Sequence, residues 1–219
     1  MRALVTGGTG RVGSAIAESL RGAGWDVAAV GRANGDLAGA AAARAVVEHA
    51  TERLGGLELL VHAASDGFDP RDIEDVTEAD WDRALGATAK GAFFVAQAAA
   101  PHLRAARGLL VMIEDVAAYQ PWPSFAPHCA AKAAQAMLTR VLARALAPEV
   151  RVCGVAPGPV AVKQGQEERR AGETLLGRIG SPDDVAEAVL FLAGADFVTG
   201  ASIVVDGGRL LQTARAGGA

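Results

Sequence analysis

A doubly wound α/β fold, a parallel sheet with helices on both faces, is predicted by three features of this sequence. Short apolar runs alternate along the chain with longer helical patterns. Each run is apolar at consecutive positions rather than at alternate ones, the mark of a strand covered on both faces. No repeat or linker divides the 219 residues, so residues 1–219 read as a single domain.

Arg2–Thr6 reads as the first strand, running into the turn Thr6-Gly7-Gly8-Thr9-Gly10. A helix follows from Val12 to Arg21 and stops at Gly22 and Gly24. Asp26–Val30 is the second strand. After turn residues Gly31–Asp36, an alanine-rich helix covers Leu37–Leu54 and closes at Gly55-Gly56. Leu57–Ala63 is the third strand, Asp80–Leu103 one long helix, and Gly108–Ile113 the fourth strand. The helix Ala126–Leu146 is stopped by Ala147-Pro148. Arg151–Val155 is the fifth strand and Ser202–Val205 the sixth. Between them, Ser181-Pro182-Asp183-Asp184 opens a helix to about Leu192, with a serine cap, proline first and acids in the first turn. The polar stretch Lys163–Gly172, inside a loop region spanning 159–180, is expected to be mobile, and the small polar tail 213–219 to fray.

Composition narrows the function. The chain is 51% hydrophobic and 21% charged, with mean hydropathy +0.22, which excludes a disordered chain. A formal charge of −4 leaves no basic footprint for nucleic acid or anionic lipid. Cys129 and Cys153 cannot build a disulfide framework, and neither they nor His49 and His102 have metal-ligand spacing, so no metal is expected. The start MRALVTGGTG reaches glycine too soon for a signal peptide, and charges interrupt every apolar run short of a membrane span. A cytoplasmic protein acting on a small molecule is the expectation.

Gly7-Gly8-Thr9-Gly10-Arg11-Val12-Gly13 sits at the first strand-to-helix turn. There glycine lets backbone approach a pyrophosphate, and the helix N-terminus offers unpaired N–H groups. The second strand ends Val30-Gly31-Arg32, with arginine where an acid would bind a ribose. Arg32 and Arg11 together suit a 2′-phosphate, which favours NADP(H), with NAD(H) the alternative.

Over about Arg2 to Leu210 the sequence resembles the short-chain dehydrogenase/reductase family. The resemblance is carried by TGGTGRVG, LLVHAAS, KGAFF, HCAAKAA, VRVCGVAPGPV, LLGRIGSPDDVAEAVLFLA and FVTGASIVVDGGR, in family order. Arg11, Ala64-Ser65 and Asp115 look most like the pteridine and dihydromonapterin reductases. The resemblance implies cofactor contacts from Gly7, Thr9, Gly10, Arg11, Val12, Arg32, Asp36, Leu37, Ala63, Ala64, Ser65, Lys132, Pro157, Gly158 and Val160. It also implies a strand and helix missing between Val30 and Leu57, leaving six strands with the second at an edge.

The family's Asn, Ser, Tyr and Lys correspond to Thr88, Asp115, His128 and Lys132. An imidazole can exchange a proton near neutrality without the lysine's help. Asp115 within reach would orient it, so Asp115, His128 and Lys132 are the catalytic candidates. His62 is expected to be structural. Phe68, Tyr119 and Trp122 are pocket-wall candidates in loops after strand ends. The function implied is reduction of a small carbonyl or imine by hydride transfer; a nucleotide-binding homologue impaired in catalysis is the alternative. Members of this kind are tetramers or dimers, and the alanines Ala98–Ala100 and Ala130–Ala134 suit close helix pairing between copies.

Overall fold

The computed structural model describes residues 1–66, 69–160, 162 and 164–212. Its strands are β1 (Arg2–Thr6), β2 (Asp26–Val30), β3 (Leu59–His62), β4 (Leu109–Ile113), β5 (Arg151–Pro157) and β6 (Ser202–Val205). All pair in parallel, in the order β2-β1-β3-β4-β5-β6. No strand lies between Gly31 and Gly56, and β2 is an edge, as the short connection predicts. The chain leaves β1 for β2 on one side, then returns past β1 to β3 on the other. That reversal opens a crevice at the carboxyl ends of β1 and β3, where α/β sheets bind ligands.

The helices are α1 (Arg11–Gly22), α2 (Ala40–Leu54), α3 (Glu78–Leu85), α4 (Gly91–Ala106), α5 (Ala126–Leu146), α6 (Glu167–Ala171) and α7 (Pro182–Gly194). On one face Leu4, Leu60, Leu110 and Val152 meet Val47 of α2, Val95 and Leu103 of α4, and Leu142 of α5. On the other, Val5, Leu59, Val111 and Cys153 meet Ile16 and Leu20 of α1 and Val185 and Val189 of α7. Successive strand residues point to opposite faces, which is why every position in these runs had to be apolar. Among the described residues no helix is long and apolar enough to cross a membrane.

Three elements differ from expectation. The helix expected from Leu37 begins at Ala40, because the Asp36 carboxylate accepts the Ala38 N–H at 3.0 Å and holds a turn. Leu37 drops into the core there, and a Cβ on Gly91 would come within 2.9 Å of its carbonyl, so glycine lets α4 start against this turn. The long helix Asp80–Leu103 is three pieces: α3, opened by a Thr77–Asp80 capping box, a π-helical turn over Gly86–Lys90, and α4 running on to Ala106. The polar stretch Lys163–Gly172 contains α6, whose acids precede its arginines as the helix dipole favours. Arg169 and Arg170 both reach Glu173 at 2.8 Å, which also takes Arg209 at 2.8 Å. Ala99, Ala100 and Ala131 are buried within the protomer, so much of the small-residue surface is used in its own core. The tail 213–219 lies outside the described residues.

Candidate active site

The glycine loop follows β1 and is folded tightly onto its neighbours. Gly7 has φ +69°, and a Cβ there would lie 2.5 Å from the Ala63 carbonyl oxygen; a Cβ on Gly13 would lie 2.2 Å from that of Gly7. Gly10 precedes α1 and offers no side-chain cap, so the N–H groups of Arg11, Val12 and Gly13 lack intrahelical acceptors. In front of the loop is a groove of about 660 Å³ lined by Gly7, Thr9, Gly10, Arg32, Asp36, Leu37, Ala63, Ala64 and Ser65, with Asp66 and Arg83 beside them. An anionic, extended ligand fits it: backbone space that a Cβ would fill, an uncapped helix N-terminus, and a volume in the usual ligand range.

Other expected contacts fall outside the groove wall. Val12 is not part of the lining, and Arg11 turns away to donate to the Val162 carbonyl at 3.1 Å. Arg32 pairs with Asp66, so the two arginines are committed to separate partners rather than converging. Pro157 ends β5, Gly158 donates its N–H to the Val205 carbonyl at 2.9 Å, and Val160 lines a separate depression with Arg178 and Asp184.

Beyond the carboxyl end of β4, Asp115 caps a short turn, its Oδ1 accepting the Ala117 N–H at 2.8 Å. Its Oδ2 faces His128 Nε2 of α5 at 3.4 Å. His128 is buried and lines a small pocket with Asp69, Arg71, Asp80, Arg83 and Phe125. One turn further along α5, Lys132 donates to the Ile113 carbonyl at 2.9 Å and to Gln135 Oε1 at 3.0 Å. Burial pushes the Lys132 ammonium down, with Asp115 and Glu114 opposing. The three catalytic candidates are thus neighbours, with Lys132 buried behind the pair and outside the groove wall. Thr88 is buried in the π-helical turn, its hydroxyl 3.1 Å from that of Ser65. His62 bonds Thr6 Oγ1 at 3.0 Å, as a structural residue should. Burial, then the nearby Lys132 charge, pushes its pKa down to about 4, so it stays neutral at physiological pH.

The pocket-wall candidates fare differently. Phe68 lies outside the described residues. Tyr119 and Trp122 line neither the groove nor the His128 pocket. Tyr119 donates to Glu114 Oε2 at 2.9 Å, and Trp122 lies beneath the Arg209 guanidinium, 5.0 Å from its ring centre, and edge-on to Phe125. Both turned away because a buried acid and a guanidinium claimed them. Glu114 itself went unforeseen: it is 2% exposed and accepts from Thr139 at 2.7 Å, Ser202 at 3.0 Å and Tyr119. Those hydroxyls come from three separate segments, so no local spacing points to them.

Residues 18–209 match the family model described as Enoyl-(Acyl carrier protein) reductase. The chain is 35% identical to 4-formylbenzenesulfonate dehydrogenase of Comamonas testosteroni over 94% of its own length and 96% of that protein. It is 37% identical to 2-(S)-hydroxypropyl-CoM dehydrogenase 3 of Xanthobacter autotrophicus, covering 79% and 74%. The chain belongs to the short-chain dehydrogenase/reductase family. A family structure from Brucella melitensis, described as a glucose/ribitol dehydrogenase, superposes with a TM-score of 0.86 at 30% identity over 95% of each chain. As a short-chain dehydrogenase/reductase this protein is an oxidoreductase that works with a nicotinamide cofactor, and the groove beside the glycine loop is of the kind that cofactor needs.

Proposed function

We propose that this enzyme reduces a small carbonyl or imine, pteridine-like in size, with NADPH, and that His128 acts where the family's tyrosine does. The observation that carries the reading is the Asp115–His128 contact at a pocket beyond the strand ends. Bound in the groove, a nicotinamide cofactor supplies the hydride. His128 gives the Nε2 proton to the substrate oxygen or nitrogen as that atom gains charge. The Asp115–His128 contact, at 3.4 Å, is longer than an ordinary N–H···O bond. Asp115 is held by the Ala117 N–H and orients the ring through its Oδ2. Lys132, buried one turn further along α5, is held in place by the Ile113 carbonyl and Gln135 Oε1. Following NADPH oxidation over a panel of aldehydes, ketones and pteridines tests this: turnover of some member is expected, and a blank across the panel overturns it.

Arg32 lines the groove at the end of β2, the place where a 2′-phosphate is recognised. Arg32→Asp is expected to weaken NADPH binding about tenfold or more, since charge-assisted bonds contribute about 1.5–3 kcal/mol each. NADH binding should change little. Equal losses in a fluorescence titration would remove Arg32 from phosphate recognition.

The free thiols of Cys129 and Cys153 favour a reducing cytoplasm. Homo-oligomerisation through α4 and α5 is supported by Phe93, Met137 and Val141, large apolar side chains left exposed on those helices. Sedimentation at micromolar concentration should show a dimer or tetramer; a lone monomer would exclude it.

A further inference from the structure

The far end of the groove holds more charge than the proposed function uses. Arg32, Asp36, Asp66 and Arg83 all line it. Two of them are already engaged within their own segments. Asp36 accepts the Ala38 N–H at 3.0 Å, and Arg83 reaches Asp80 at 2.6 Å. The remaining two pair with each other: Arg32, just after β2, bonds Asp66, which follows β3. The pair spans the opening between the loops after these strands.

The two partners are unequal. The Asp66 side chain is 19% exposed and that of Arg32 81%, so the carboxylate sits in the wall and the guanidinium lies over it from solvent. Exposed ion pairs of this kind hold their partners weakly. A phosphate monoester, with more charge and three acceptor oxygens, outcompetes one carboxylate for the same guanidinium. Asp66 then remains as an unpaired negative charge facing the phosphate. A ribose hydroxyl makes no such demand, and Arg32 can stay on Asp66.

We propose that Asp66 is a cofactor-selecting residue: it shares Arg32 with the 2′-phosphate of the nucleotide and restrains the preference for NADPH over NADH. The proposal rests on the reading that Arg32 recognises that phosphate. Arg32 changes partner between the two cofactors, and the carboxylate it leaves opposes the phosphorylated one.

Calorimetric titration with 2′,5′-ADP, 5′-AMP, NADPH and NADH tests it without reliance on turnover. In Asp66→Asn, 2′,5′-ADP and NADPH should bind about fivefold more tightly, the gain from removing one like charge at close range in water. Binding of 5′-AMP and NADH should stay near native. Adding Arg32→Ala to Asp66→Asn should drop 2′,5′-ADP and NADPH affinity below native, because the phosphate then loses its guanidinium. If Asp66→Asn weakens NADPH, or shifts all four ligands alike, Asp66 is an ordinary wall residue and the proposal fails. Asp66→Ser repeats the measurement if the asparagine variant proves unfolded by circular dichroism. Failure of the underlying reading looks different: Arg32→Ala alone would then leave 2′,5′-ADP affinity untouched.

Discussion

His128→Ala is expected to lower turnover by about 10²–10⁴-fold, the usual contribution of a positioned acid, while NADPH affinity stays close to native. The separation follows from geometry. His128 lines the small pocket with Arg71 and Phe125 and is absent from the groove lining, so truncating it removes a proton donor and leaves the cofactor wall intact. The loss should appear in kcat and kcat/KM together, as for an interaction made in the transition state. Stopped-flow reduction of the best panel substrate, beside cofactor titration, reads both quantities. On the proposed role of His128, His128→Tyr places a phenol donor four residues before Lys132 and should retain turnover. Full activity in His128→Ala would make the residue a bystander.

The parts legible in the sequence are those governed by local rules. The bounds of α5, Ala126–Leu146, come from an apolar stripe stopped before Pro148, and the structure has the same limits. The start of α7 was readable because Ser181, Pro182 and Asp184 each have a distinct role at a helix N-terminus, and the Ser181–Asp184 capping box is present. The glycine loop was readable because a Cβ has no room there.

What was hidden depends on partners distant in sequence. Tyr119 seemed free to face the pocket, but the buried Glu114 carboxylate, held also by Thr139 and Ser202, takes its hydroxyl. Arg32 seemed free to meet Arg11 at a phosphate, but Asp66 and Val162 take them separately. The π-helical turn at Gly86–Lys90 was invisible because one extra residue in a turn leaves the apolar periodicity on either side intact. The Asp115–His128 contact was anticipated from alignment to a family pattern, and neither residue type alone marks it.

A graded glycine series from the glycine loop to the end of α1 should give the largest loss of binding. A Cβ at Gly13 would lie 2.2 Å from the Gly7 carbonyl oxygen, 2.7 Å from its carbon and 3.1 Å from Gly8 Cα. All three are backbone atoms, so no side chain can rotate aside and the loop itself must move. Gly13→Ala is therefore expected to cost about 2–3 kcal/mol of stability, as overpacking does, and to abolish measurable NADPH binding. A Cβ at Gly10 would lie 3.3 Å from the same oxygen, a contact that relaxes with a shift of a few tenths of an ångström. Gly10→Ala should fold normally and bind NADPH more weakly, which keeps the test open if Gly13→Ala does not fold. A Cβ at Gly22, the last residue of α1, meets nothing within 4 Å. Gly22→Ala should bind as the native enzyme does and gain about 0.5 kcal/mol through reduced freedom of the unfolded chain. Thermal melts and cofactor titration of the three variants give the order Gly13, Gly10, Gly22 in severity. Native NADPH affinity in a folded Gly13→Ala would show that the loop is a tight turn and not a phosphate cradle.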